Sequence, residues 1–472
     1  MKQALHIFRK DARHFRYEIA IFLFFIVAFT VSAIRRSLSS GYTDWIVSFI
    51  LPFMLPLVAW YLIARLIHAE ALPGDRQFWI TRPYRRWCLL GAKALFVFLF
   101  LNVPMFIADA VILHANGFSV PHELTALAAE QLLITAALLI PMVALAAVTT
   151  GMVQVVVAIL VFGALAVIRS LMFLKSGLPS PIDWINTGME ITTLAMVATV
   201  VVWWQYSRRR TLFARIFGSA GVAAAVALAT LIPYNWAFWI QSQLSNRTDA
   251  SSIQIAPSSR IAPVVHLGEV FTFRAPIKVS GIPKGMFLRP DALQVILEAP
   301  DGSTWKFASR PWSSGPTSWP SISVSPAFYQ KIKDRPMRLR GSAFATLFGD
   351  QRRTEVPFDT QSLVLPGAGL CAAVKRNLIS SVTCRYPFRD PPDTVDIAFG
   401  PTSFNPLGAR YSYSLFPAEV ADIPVATYSS IIYRSFSGSP VVFTARPLAH
   451  IRRDFEIEAL RLSEFDTPQR LK

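Results

Sequence analysis

The sequence predicts a polytopic α-helical membrane protein of about seven transmembrane helices, followed by a C-terminal, extracytoplasmic, mostly-β domain of β-sandwich character. Three observations carry this. Of 472 residues, 53% are apolar and only 16% charged, whereas a soluble domain carries about 25% charge. Apolar runs long enough to cross a bilayer all lie before Leu244, and beyond it the apolar stretches are short and broken by Pro, Gly and Ser. Basic residues gather in the segments between the long runs, which is how membrane orientation is encoded.

The net charge of +17 does not indicate nucleic acid. A nucleic-acid reader concentrates its basic residues on one face of a soluble fold, and here they are spread over the loops between spans. The first apolar run, Ile19 to Ile34, is followed by Arg35 and Arg36 rather than a small-residue cleavage site, so it reads as a retained span and not as a cleaved signal.

Residues 1–17 precede that span. Leu5, Phe8, Ala12, Phe15 and Ile19 recur at three- and four-residue steps with Lys, Arg and His between them, an amphipathic helix pattern. Two readings stand: a helix lying in the inner headgroup region, and a plain cytoplasmic extension of the first span.

A bilayer core needs roughly 20 apolar residues per helix, and residues 18–240 supply runs at 18–34, 46–66, 91–113, 127–149, 152–174, 189–206 and 216–240. With the N-terminus inside, the cytoplasmic segments receive about fifteen Lys and Arg and the opposite side four, Arg35, Arg36, Arg169 and Lys175. Short basic loops stay cytoplasmic. An odd number of spans then delivers everything after Gln241 to the outside of an inner, cytoplasmic membrane.

The cytoplasmic loop at 67–90 mixes paired charges with aromatics: Glu70, then Asp75, Arg76, Phe78, Trp79, Arg82, Pro83, Arg85, Arg86 and Trp87, with Lys93 just beyond. Such a surface can lodge Phe78 and Trp79 in a partner's groove while Arg and Glu fix the register. The competing reading is an aromatic and basic belt at headgroup depth.

Glu70 followed by Pro83, Arg86, Trp87, Leu90 and Lys93 resembles the permease subunits of ABC transporters of the exporter, or type II, class. There a Glu-bearing segment between the second and third spans leads to Pro, two residues, Arg-Trp, a few apolar residues and Lys. The resemblance covers about the first 210 residues. It implies that this loop seats on a separate ATPase, that the N-terminal helix lies along the membrane beside it, and that the permease works as a homodimer or with a related subunit. The seventh span and the large tail depart from many members of the class. No Gly, four residues, Gly-Lys-Ser/Thr loop occurs, so the chain lacks the usual phosphate cradle and is expected to be no enzyme and to carry no cofactor. ATP would be bound by the partner.

Asp109 stands within the third run, near Asn102 and Pro104. A carboxylate at mid-membrane costs about 2.5–3.5 kcal/mol on insertion scales. It either lines a route or pairs with a basic group, or it lies near the outer end of its span and reaches water.

Residues 241–263 read as a linker rich in Ser, Asn, Thr and Pro, and 264–472 as the β-rich domain. Expected strands are Val270 to Val279, Leu293 to Glu298 and Thr304 to Ala308 as a hairpin around Asp301-Gly302, Met337 to Leu347, Val395 to Phe399, Tyr411 to Phe416, Ile431 to Phe436, Val441 to Thr444 and Phe455 to Leu462. Many short strands suggest a β-sandwich or two small β-units. Cys371 and Cys384 lie close together in a compartment where a disulfide persists; two unpaired thiols are the other reading. No metal or catalytic motif is present, and His266 and His450 read as ordinary surface or strand residues.

Two functions follow from this. One is a permease driven by a partner ATPase, its tail receiving cargo or docking an extracytoplasmic partner. The other is a non-transporting membrane scaffold or sensor that presents a β-domain for ligand or protein binding.

Overall fold

The computed structural model describes residues 2–38, 45–70, 86–173, 183–208, 210–257, 265–267, 270–274, 277–309, 321–358, 362–366, 368–376, 379–387, 394–398, 425–432 and 438–465. Phe78, Trp79, Arg82 and Pro83, and the expected strand Tyr411 to Phe416, lie outside the described residues.

The first half is helical. α1 (Lys2–His14) meets α2 (Arg16–Leu38) at a turn on Phe15, and α3 (Trp45–His68) follows. α4 (Arg86–Val97) runs through a π-helical segment, Phe98–Asn102, into α5 (Val103–Ala115), and α6 (Leu124–Ile134) runs through Thr135–Leu139 into α7 (Ile140–Val148). Then come α8 (Met152–Phe173), α9 (Asp183–Arg208), α10 (Thr211–Leu231) and α11 (Tyr234–Ser245). Among the described residues five stretches are long and apolar enough to cross a bilayer: Arg16–Arg35, Arg86–Ala115, Leu124–Val148, Ile185–Arg208 and Thr211–Leu228. Met54–His68 and Met152–Leu165 are shorter apolar helices.

Both π-helical segments have a sequence cause. Proline has no N–H and its ring collides with the carbonyl four residues back. For Pro104 and Pro141 that carbonyl belongs to Phe100 and Ala137, each inside a widened turn. The expected run 216–240 is corrected for a related reason. Ile232 precedes Pro233 and is extended, with ψ 117°, as a residue before proline prefers. α10 therefore ends at Leu231 and α11 starts afresh at Tyr234.

The β-domain begins earlier than expected. Gln254–Pro257 (β1) pairs with Ile277–Ser280 (β4), and Ala250, Ile253 and Ile255 join the domain's core, so within the expected linker 241–245 are helix and 254–257 are strand. The expected strand Val270 to Val279 is two strands, β3 (Val270–Arg274) and β4, which pair with different neighbours. β3 lies between β2 (Val265–Leu267) and β7 (Ser321–Val324).

β5 (Phe287–Glu298) and β6 (Thr304–Ser309) form the expected hairpin, with Glu298 opposite Thr304. Gly302 takes a positive φ of 79°, and Asp301 Oδ1 accepts from the Ser303 amide at 3.0 Å. Two long strands, β8 (Met337–Glu355) and β14 (Val441–Leu460), pair antiparallel along nearly their whole length. The expected pair Val441 to Thr444 and Phe455 to Leu462 is thus one strand, whose bulges on either side of Arg446 and Pro447 absorb the proline. With β12 (Thr394–Ala398) they complete a five-stranded sheet, β12-β14-β8-β5-β6. One face packs Leu293, Val295, Leu297 and Leu339 against Phe271, Phe273, Ile322 and Val324 of the smaller sheet and against the short helix α12 (Pro326–Ile332), a sandwich-like layering.

A second core forms where a further sheet packs against Val356, Ile397 and Val442 at the β12 end of the five-stranded sheet. β9 (Leu363–Leu365), β10 (Gly369–Arg376), β11 (Ile379–Pro387) and β13 (Val425–Ile432) form a four-stranded sheet. Of the expected Ile431 to Phe436, residues 433–436 lie outside the described set. Cys371 and Cys384 face each other across β10 and β11 as a disulfide, fully buried. Converting both to Ala is expected to lower this sheet's stability by about 3 kcal/mol in the chain-entropy model. Calorimetry of the full chain with and without reductant checks this; an unchanged β-domain transition refutes it.

The domain rests on one end of the helices through two seats. In one, Val425 packs with Ala33, Ile112, Leu113 and Leu127, and Arg385 Nη1 donates to Asn116 Oδ1 at 3.2 Å. In the other, Ala292 and Phe344, on the outer face of the five-stranded sheet, meet Ile185, Ala237 and Phe238.

Candidate functional site

Two of the residues singled out in the loop, Glu70 and Lys93, meet at the opposite end of the bundle. Lys93 and Leu113 on one continuous helical rod are separated by twenty positions, about 30 Å at 1.5 Å per residue.

α1 supplies the missing partner. Its buried side is Ile7, Asp11 and Phe15, four residues apart, flanked by Phe8, while Leu5 is exposed. Of the expected stripe, Phe8, Phe15 and Ile19 pack inward, Ala12 is half-buried and Leu5 is exposed; the buried side is rotated away from Leu5 toward Ile7 and Asp11. Phe8 stacks on Phe100 at 5.7 Å, and Phe15 meets Phe96 edge-on at 6.2 Å, which lays α1 along α4.

At the centre Lys93, 3% exposed, donates from Nζ to Asp11 Oδ2 at 2.8 Å and to the Leu66 carbonyl at 3.1 Å. Glu70 Oε2 lies 3.4 Å from the same ammonium, and Lys10 Nζ reaches Glu70 Oε1 at 3.0 Å. Burial works to raise the Glu70 carboxyl, but Lys93 and Lys10 together hold it below its ordinary range. Tyr206 is buried close to Glu70 and Asp11.

The neighbouring helix ends are tied as well. Arg65 pairs with Glu18 at 3.5 Å, Arg86 Nη1 donates to the Ser207 carbonyl, Arg215 Nε donates to the Val148 carbonyl at 2.9 Å, and His68 Nε2 lies 3.0 Å from the Ala146 carbonyl. Glu70 and Arg86, which bracket residues 71–85, are thus each fastened to other helices. Arg86 and Trp87 are exposed.

Asp109 is elsewhere. It is buried on α5, and its Oδ2 accepts from Gln131 Nε2 at 2.9 Å; among the described residues no basic group pairs with it. About two turns along the same rod from Asp109, Asn102 Oδ1 lies 2.7 Å from Thr135 Oγ1, whose single proton is shared with the Gln131 carbonyl at 2.7 Å; the contact brings the two π-helical segments together.

Sequence reasoning missed a second polar cluster, beneath α11. Thr346 Oγ1 donates to Asp291 Oδ2 at 2.5 Å and lies 2.9 Å from His450 Nδ1. Gln241 Nε2 lies 3.3 Å from His450 Nε2. Threonine has one hydroxyl proton, and Asp291 receives it, so His450 donates from Nδ1 and accepts from the glutamine amide at Nε2. A charged imidazole would set donor against donor there. Burial, helped by Arg289, lowers the His450 pKa to about 4, and burial pushes the Asp291 carboxyl up against the pull of Arg289.

Since His450 is neutral when folded but titrates near 6.5 when unfolded, stability it contributes is present above pH 6.5 and lost as pH falls toward 4. That is about 3 kcal/mol. The β-domain's melting midpoint in native protein should fall more steeply over that window than in His450→Gln. Equal slopes would refute the assignment.

No protein-family model, curated protein or solved structure matches the chain. Fold and site together define a helical membrane protein with a strand-rich C-terminal domain.

Proposed function

We propose that the chain is the permease subunit of an ATP-driven transporter of the exporter class, itself non-hydrolytic, coupled through the loop 67–90 to a separate ATPase. In this reading the bundle crosses the inner membrane seven times, with α1 cytoplasmic and the β-domain extracytoplasmic, and acts as a homodimer or beside a related subunit.

The observation that carries the reading is the buried Asp11, Lys93 and Glu70 cluster. It fastens the start of the loop, the helix that follows it and α1 into one unit, so a push on the loop is delivered to several helices together rather than lost in side-chain motion. Lys10, Arg65, Arg86, Arg208 and Arg215 share that end of the bundle, which the positive-inside rule assigns to the cytoplasm. The β-domain seats at the other end, as it must if the ATPase and the tail serve opposite compartments.

The test is copurification from native membranes, comparing the native chain with Arg86→Glu plus Trp87→Ala. Removing two exposed anchor residues of the kinds that dominate interfaces costs about 2 kcal/mol each, a loss of tenfold or more in captured ATPase. An ATPase that binds both chains equally, or none binding the native chain, overturns the coupling loop. A compartment reporter fused after Lys472 should read outside; a cytoplasmic signal overturns the orientation.

A further inference from the structure

The geometry points to a membrane-docking surface on α11, by which the β-domain is held flat against the headgroup layer of the bilayer its own helices cross. α11 has two faces. Ala237 and Phe238 are buried against the sheet, and Gln241 meets His450 across the same contact. On the other side Trp236, Trp239 and Leu244 are 70%, 63% and 69% exposed, and Gln243 is exposed beside them. These positions recur at helical spacing, so they form one stripe.

Two observations identify what covers the stripe. Only Ile232 and Pro233 separate α11 from α10, and the last turn of α10 exposes Leu228 and Leu231. The exposed apolar surface of the bilayer-crossing helix thus continues onto α11 with no slack to carry it away. From Ile216 to Asn246 there is no charged residue, and the first charges are Arg247 and Asp249. Tryptophan favours headgroup depth, where an apolar body and a polar N–H are both satisfied. The partner is therefore a lipid surface, and α11 is a plate with the sheet on one side and lipid on the other. The inference rests on the helices being membrane-embedded and stands whether or not the chain transports anything.

It also gives the buried cluster beneath α11 a purpose. A helix whose outer face is held by lipid transmits any tilt of α10 to the sheet only if its inner face is fixed. Phe238 and the Gln241 to His450 contact provide that fixing.

The experiment uses the full chain in nanodiscs with Cys88→Ser, carrying a nitroxide at Trp239→Cys or, with both tryptophans kept, at Gln243→Cys. Accessibility to oxygen and to a water-soluble nickel chelate gives depth, with labels at Leu160 and Asp249 marking lipid and water. Labels at 239 and 243 are expected about 5–10 Å below the headgroup boundary. Nickel accessibility equal to that at 249 overturns the proposal, because the stripe then faces water. Low accessibility to both reagents also overturns it, because protein and not lipid then covers the helix.

Discussion

Replacing Lys93 with methionine is expected to destabilise the helical domain by about 3–5 kcal/mol, the cost of stranding a buried charge. The single ammonium serves two carboxylates, Asp11 at 2.8 Å and Glu70 at 3.4 Å, and a carbonyl. Asp11 is 2% exposed and has nowhere to turn for water. Lys10 remains near both acids, 3.8 Å from Asp11 and 3.0 Å from Glu70, but it is substantially exposed, and exposed pairs are worth about 0–1 kcal/mol. Lys10→Met is therefore the control and should cost less than about 1 kcal/mol. Adding Asp11→Leu to Lys93→Met should recover part of the loss, because the stranded charge leaves with its partner. Thermal unfolding of the full chain in nanodiscs reads all three. If Lys10→Met costs as much as Lys93→Met, the cluster is held by its exposed member and cannot be the rigid joint that coupling requires.

How far the sequence disclosed this site depends on what each residue signals. Glu70 and Lys93 stood out because they bracket a basic aromatic loop. Asp11 did not, although a lone acid four residues after Ile7 and four before Phe15, in an otherwise basic helix, marks the inward face once a buried lysine is known to need a partner. Long helices were legible since about 20 apolar residues have few other uses. Prolines were harder, because their effect depends on context. Pro233 ends a helix, Pro104 and Pro141 are taken up by π-helical turns, and Pro447 sits inside a strand by means of bulges.

The hairpin at Asp301-Gly302 was readable from its turn chemistry, a purely local cause. The Asp291, Thr346 and His450 cluster was not. Its three members come from two neighbouring strands and a third that arrives over a hundred residues later, and only the register of β5, β8 and β14 brings them together. The continuous burial of Ala343 to Phe348 on both faces of β8 was likewise hidden. A strand is buried on both sides only when something covers each face, and the cover here is α11, whose composition reads as a continuation of the preceding span.

That cover sets the second large effect: Phe344→Ala is expected to cost about 3–5 kcal/mol and to loosen α11 selectively. The Phe344 ring is fully buried and meets Tyr234 at 4.9 Å and Phe238 at 5.0 Å, both edge-on. Its cross-strand partner on β5 is Ala292, too small to fill the space left behind, and on β14 it is Arg452, whose guanidinium lies 5.8 Å from the ring centre and cannot enter an apolar cavity without leaving its charge unpaired. The sheet cannot collapse into the cavity because β8 is fixed on both sides by β5 and β14. α11 can move only by giving up the Gln241 contact with His450 or by pulling its outer face from lipid. Each alternative is unfavourable, so the cavity should persist at the seat. Hydrogen exchange distinguishes this from general loosening: amides of Ala237 to Ser245 should lose protection while those of Leu293 to Leu297, facing the other core, keep it. Equal loss in both segments would mean that Phe344 supports the sheet itself and that α11 is held to the domain by other contacts.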